Sequence, residues 1–199
     1  MNLEKINRII TKHKSFVLST HVNPDPDALC SQLALAEYLK AKGKSVTILN
    51  EGPVPVRYQF LPGSRIIQSY KKNGRYNFDA AFILDCGELD RIGKVQRTLE
   101  KHPLIINIDH HLTNTQFGYV NWVDIHSSST AEMIYELVSQ DKKKMTRSMV
   151  INLYVGILTD TGTFRHSNTT AKTHRIVSHL RTFDFPAHAL YQRLYESIP

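Results

Sequence analysis

The chain has 199 residues, 41% hydrophobic and 22% charged, close to globular averages, which excludes disordered, collagen-like and coiled-coil classes. A formal charge of +7 favours anionic partners without choosing between RNA, a nucleotide and a lipid surface, since a positive field concentrates any anion. No apolar run approaches the roughly 18 residues a membrane span needs, and residues 1–199 suit one domain at the usual ~100–200 residues per domain.

The N-terminal stretch LEKINRIITKHK places Leu3, Ile6, Ile9 and Ile10 on one helical stripe. It lacks the apolar region and small-residue cleavage site of a signal peptide, so it is expected to dock as a helix on the fold of a cytoplasmic protein. Next, SFVLST (Ser15–Thr20) reads as a buried strand, and ALCSQLALAEYLKAKG as a helix with Leu29, Leu33, Ala36 and Leu39 in register and Gly43 at its C-terminal cap. With SVTILN (Ser45–Asn50) these form a βαβ unit. The segment from Pro53 to Tyr76, with PVPV, LPG and NG, reads as an irregular connection that holds at most a short helix. Three further strands follow: DAAFIL (Asp79–Leu84), PLIINI (Pro103–Ile108) and YVNWV (Tyr119–Val123). Several of these runs are apolar almost throughout, as parallel strands covered on both faces tend to be.

From Ser128 the pattern turns helical. SSTAEMIYELVSQ opens on Ser/Thr caps and Glu132, TRSMVINLYVGILTD is apolar nearly all round, and two more helices are expected near Thr170 and Pro186. The run Lys142–Lys144 between the first two reads as a solvated loop. Cys30 and Cys86, without CxxC spacing, read as reduced, packed thiols. The pattern predicts an α/β domain: a doubly wound, mainly parallel five-stranded sheet flanked by helices, with a helical C-terminal part.

In open parallel sheets ligands bind outside the carboxyl ends of the strands, and four apolar runs in this chain end in metal-ligand chemistry. FVLST leads to His21, Asp25 and Asp27; AAFIL to Asp85; LIINI to Asp109, His110 and His111; and LYVGILT to Asp160. Each has a plainer reading by itself. Asp27 suits the N-cap of the helix that follows, Asp85 a solvated strand end, and Pro24 and Pro26 a stiff turn. Asp160 resists a plain reading, because a carboxylate at a helix C-terminus faces the negative end of the dipole at a cost of about 0.3–1 kcal/mol unless a cation is near. Oxygen ligands with one or two imidazoles and no thiolate cluster suit Mn²⁺ or Mg²⁺ better than a structural zinc. His21, Asp25, Asp27, Asp85, His110 and Asp160 suffice for two ions with one acid bridging, and such pairs promote in-line displacement at phosphorus. Phosphoester hydrolysis is the expected chemistry.

THVNPDPDAL, LDCGELDRIG, IDHHLTN, SSSTAEMIYEL and GILTDTGTFRHSNTT resemble, in order and spacing, the motifs of the DHH phosphoesterases over nearly the whole chain. Within that family the chain is most similar to the oligoribonucleases that also dephosphorylate 3′-phosphoadenosine 5′-phosphate (pAp), more than to RecJ-type exonucleases or family II pyrophosphatases. The resemblance implies two Mn²⁺ ions, with Mg²⁺ or Co²⁺ as alternatives. His21, Asp25 and Asp85 would hold one ion; Asp27, Asp85, His110 and Asp160 the other, with Asp85 bridging. Asp109 would tune the pair, His111 face the phosphate, and Arg165, His166 and Thr169 contact substrate. Short RNA oligonucleotides or nucleotides are the implied partners, with no membrane, and a homodimer stays open. Members of this type carry a second, DHHA1-type substrate-binding domain with a Gly-Gly-Gly-His loop. This sequence has no Gly-Gly pair, so the chain reads as the catalytic half, with reduced activity. A cyclic-dinucleotide phosphodiesterase, a pyrophosphatase, and a non-catalytic metal- or nucleotide-binding module are the alternatives.

Overall fold

Alternation of apolar residues along the strands divides the core between the two faces of a single sheet. On one face lie Phe16 and Leu18, Ile48, Phe82 and Leu84, Ile106 and Ile108; on the other lie Val17, Leu49, Ala81, Ile83 and Ile105. The computed structural model describes residues 2–99, 104–141 and 145–196. The sheet consists of β1 (Ser15–Ser19), β2 (Ser45–Asn50), β3 (Ile67–Ser69), β4 (Ala80–Leu84), β5 (Ile105–Asp109) and β6 (Val120–Val123). All pairings are parallel, in the order β3-β2-β1-β4-β5-β6. Six strands replace the expected five: Ile67–Ser69, inside the segment read as irregular, pairs with Ile48–Asn50 at the sheet edge. Three residues carry no period to read, so only pairing with β2 makes this a strand.

The helices are α1 (Asn2–Lys12), α2 (Pro26–Ala41), α3 (Thr130–Ser139), α4 (Arg147–Asp160), α5 (Ala171–Leu180) and α6 (Ala187–Tyr195). On the first face α2 packs against the sheet and against α4, which is in turn covered by α3 and α5, so both helices are buried nearly all round. Phe16 and Phe82 meet there with ring centroids 5.6 Å apart, each fully buried side chain contributing about 1.5–3 kcal/mol. The opposite face is covered by a 3₁₀ segment, Leu89–Thr98, kinked at Gly93, through Ile92 and Val95. Ser129, Thr146 and Thr170 cap α3, α4 and α5 through their hydroxyls.

The start of α2 departs from expectation. Its N-cap is Asp25, whose Oδ1 accepts from Ala28 N at 3.0 Å, with Pro26 at the first helical position; Asp27 lies inside the helix. Proline is favoured at that position because its fixed φ suits a helix start and its missing N–H has no partner to lose. The solvated loop expected at Lys142–Lys144 and the strand start at Pro103 lie outside the described residues. Among the described residues no helix is long and apolar enough to cross a membrane.

Candidate metal centre

The chain runs outward from β1 through β2 to β3, then crosses back to β4 and runs outward again through β5 to β6. β1 and β4 are therefore neighbours whose connections diverge, and the crevice at their carboxyl ends is where parallel sheets bind ligands. His21 follows β1, Asp85 follows β4, and His110 and His111 follow β5, so strand order delivers them to one place.

Asp85 is the hub. It is 2% exposed and stands at φ 54°, a left-handed conformation uncommon outside glycine and associated with functional strain. That turn directs the carboxylate across the strand ends. Its Oδ2 lies 3.7 Å from His21 Nε2 and its Oδ1 3.6 Å from His110 Nε2. His110 Nε2 is also 3.4 Å from Asp160 Oδ2, at the last residue of α4. Ligand atoms of His21, Asp25 and Asp85 lie within 4.8 Å of one another, as do those of Asp27, His110 and Asp160, and those of Asp85, His110 and His111. Asp109 stands outside these groups. Its Oδ1 is 2.7 Å from His111 Nδ1.

The electrostatics follow from crowding four carboxylates into one cleft, with Asp27 and Asp85 at its buried floor. Burial, then repulsion from Asp85, Asp160 and Asp25, pushes the Asp27 carboxyl well above its ordinary range. Burial and the Asp85 charge raise Asp25, and burial lifts Asp160 to about 6. Burial pushes Asp85 up as well, but hydrogen bonds from His21 and Thr130 with the charges of His110 and His111 outweigh it and hold Asp85 low. The hydrogen bond to Asp109 raises His111 to about 9.

Arg165, His166 and Thr169 lie on the turn after α4, and the structure does not bring their side chains into these groups. Arg165 Nε donates to Gly162 O at 3.0 Å, His166 Nδ1 is 3.4 Å from Asp160 O, and Thr169 Oγ1 is buried without a partner. The turn carries Thr163 and Phe164 at φ 61° and 67°.

Sequence reasoning missed the side chains that hold these groups in place. Asn114 Nδ2 donates to Asp109 Oδ2 at 2.6 Å and to Asn107 Oδ1 at 2.8 Å, and Asn107 in turn donates to the carbonyls of Ile83 and Cys86. Thr130 Oγ1 donates to Asp85 Oδ1 at 2.9 Å. Asn168 Nδ2 donates to the carbonyls of Ser128 and Asp160. Asn114, Thr130 and Asn168 fall within motifs quoted above; what hid them was that their partners lie on other elements.

The family model described as "DHH family, N-terminal domain" matches residues 15–157. The bifunctional oligoribonuclease and PAP phosphatase NrnA of Bacillus subtilis is 30% identical over 193 residues, 96% of this chain and 60% of that protein. Its namesake in Thermus thermophilus is 34% identical over 179 residues, 89% of this chain and 52% of that protein. The chain thus spans about half to three-fifths of the length of these relatives. An exopolyphosphatase-related protein from Bacteroides fragilis shares the fold, with a TM-score of 0.92 at 24% identity over 100% of this chain and 61% of that one.

Proposed function

Because this chain belongs to the DHH family, we propose that it is a two-metal phosphoesterase acting on very short oligoribonucleotides and on 3′,5′-bisphosphorylated nucleotides such as pAp. The names of the relatives at 30% and 34% identity support this substrate class. The observation that carries the reading is the convergence of seven ligand-type side chains in overlapping groups, the six ligands expected from the sequence together with His111, Asp85 and His110 each belonging to two of the groups.

The donor set fits divalent cations. It consists of carboxylates and imidazoles, and Asp25, Asp27 and Asp160 are raised by desolvation and by neighbouring carboxylates, which cations relieve, although only Asp27 is fully buried. His21, Asp25 and Asp85 would hold one ion, and Asp27, Asp85, His110 and Asp160 the other, with Asp85 common to both sets. Oxygen-rich donors favour Mn²⁺, with Mg²⁺ and Co²⁺ as alternatives. When bound, such cations supply Lewis acidity, acidifying water and neutralising charge at phosphorus.

His111, fixed through Nδ1 by Asp109, presents Nε2 to a phosphoryl or leaving oxygen and carries the proton that the departing group takes. Arg165 and His166 offer hydrogen bonds to the phosphate or ribose from the turn after α4, and Thr169, whose hydroxyl is buried, joins them only if that turn moves. Residues 1–199 supply the catalytic half, and a second, substrate-gripping domain completes turnover.

The test is mononucleotide release from a diribonucleotide and phosphate release from pAp, with Mn²⁺, beside cyclic di-AMP and pyrophosphate. The diribonucleotide and pAp are expected to turn over fastest, and Asp85→Ala to abolish release. If neither this chain nor one extended to the relatives' length releases product from those two, the substrate reading is wrong. Faster turnover of cyclic di-AMP or pyrophosphate reassigns it within the same chemistry.

A further inference from the structure

The turn that begins α3 contacts two of the four carboxyl-bearing residues, Asp27 and Asp85, and is bridged to a third, Asp160, although none of them lies near it in sequence. Asp27 Oδ2 accepts from Thr130 N at 2.7 Å and its Oδ1 from Ala131 N at 2.9 Å. Asp27 thereby satisfies two unpaired N–H groups at the start of a helix other than its own. The hydroxyl of the same Thr130 donates to Asp85 Oδ1 at 2.9 Å. Asp160 joins through its backbone, since Asn168 Nδ2 donates both to its carbonyl, at 3.2 Å, and to Ser128 O, at 2.9 Å.

This turn is anchored independently of the acids. Ser129 Oγ accepts from Glu132 N at 3.0 Å. Glu132, fully buried, accepts through Oε2 from Ser128 Oγ at 2.6 Å and from Thr173 Oγ1 at 2.8 Å. Its Oε1 lies 3.1 Å from Lys172 Nζ. The anchors come from α5 and from α3 itself, so the donors stay put whatever charge accumulates on the acids.

We propose that Thr130 is a positioning residue for the metal centre: its N–H and its hydroxyl hold Asp27 and Asp85, from two different elements, at one fixed separation. Carboxylates this close repel. Donors that are already oriented lower the cost of bringing them together before a cation arrives, and they leave lone pairs on both groups free to face it. Partners of this kind typically tune metal affinity or activity by about 10–100-fold. The proposal rests on the two-metal reading above and adds the residue that sets its geometry.

The test uses the full chain with Thr130→Val and Thr130→Ser. Valine keeps the shape and the backbone N–H and removes the hydroxyl; serine keeps the hydroxyl and removes a methyl. Titration with MnCl₂ alone, followed by calorimetry, should show about 10–100-fold weaker binding for Thr130→Val and binding within a few-fold of the parent for Thr130→Ser. Turnover of pAp should fall through kcat more than through KM, because no substrate contact is lost. Parent-like Mn²⁺ affinity in a folded Thr130→Val overturns the role of Thr130 while leaving the metal reading intact. If the parent itself binds no Mn²⁺, the metal reading fails and this proposal with it. If Thr130→Val does not fold, Thr130→Ser against Thr130→Ala isolates the hydroxyl, and equal affinities there overturn the proposal.

Discussion

His111 shows how much one residue owes to its supports. Its Nδ1 meets Asp109 at 2.7 Å, and the other oxygen of Asp109 is pinned by Asn114 at 2.6 Å. Replacing Asp109 by Asn takes away the carboxylate hydrogen bond that does most to raise His111 to about 9, and with it the Asp109 charge that adds to the effect of Asp85. In the metal-free protein an NMR titration should then show the His111 pKa falling toward the ordinary ~6.5. The sign for stability follows: the contribution of a raised histidine is complete below its unfolded pKa and disappears as pH rises through about 9. Asp109→Asn should therefore flatten the decline in melting temperature between neutral pH and that value. Asn114→Leu should lower kcat by about 10–100-fold, the range for outer partners of a metal site, while Mn²⁺ affinity changes less than it does in Thr130→Val. An unchanged kcat would remove Asn114 from the account.

At the scale of elements, the site depends on how closely three helices approach. α4 passes α2 and α3 at Gly156, where a Cβ would stand 2.6 Å from Ala131 Cβ and 2.8 Å from Asp27 Oδ1. Both distances are shorter than real Cβ contacts allow, so Gly156→Ala must push α4 away from the turn that holds Asp27. Overpacking of this kind costs about 1–3 kcal/mol. The variant should melt at a lower temperature without metal and bind Mn²⁺ more weakly; a melting temperature equal to the parent's would mean that the helices give way without cost. Element boundaries tell a similar story. The sequence Asp25-Pro26-Asp27 offers two acids for one cap, and proline's preference for the first helical position selects Asp25. That leaves Asp27 two residues further on, within the first turn of α2, free to reach across to α3.

For the molecule as a whole, binding and folding are linked. A cation that binds only the folded chain stabilises it by mass action, about 2.7 kcal/mol at a hundred times Kd, here by relieving the repulsion among Asp25, Asp27, Asp85 and Asp160. Mn²⁺ should accordingly raise the melting temperature and EDTA reverse the rise, while Asp85→Ala should show neither effect. Net charge acts at longer range. With +7 overall, attraction of an anionic oligonucleotide is screened over about 8 Å at physiological ionic strength. KM for a diribonucleotide should rise with salt more than kcat falls; an insensitive KM would show that the field does not assist capture.

The sequence by itself determined the parts of this protein that depend on neighbours along the chain. The buried strands, the helices, and the placing of His21, Asp85, His110 and Asp160 where apolar runs end all follow from local periodicity and ligand chemistry. Tertiary structure alone decided what those parts do together. Strand order set β1 beside β4 and so put His21 within 3.7 Å of Asp85; a sequence pattern marks a strand without saying which strand it will pair with. The edge strand β3 exists only through its pairing with β2. The capping of α3 by Asp27, 103 residues away, and the grip of Thr130 on Asp85 depend on helices meeting across the core. Backbone N–H groups have no side-chain signature, so donors of that kind stay hidden until packing brings an acceptor to them.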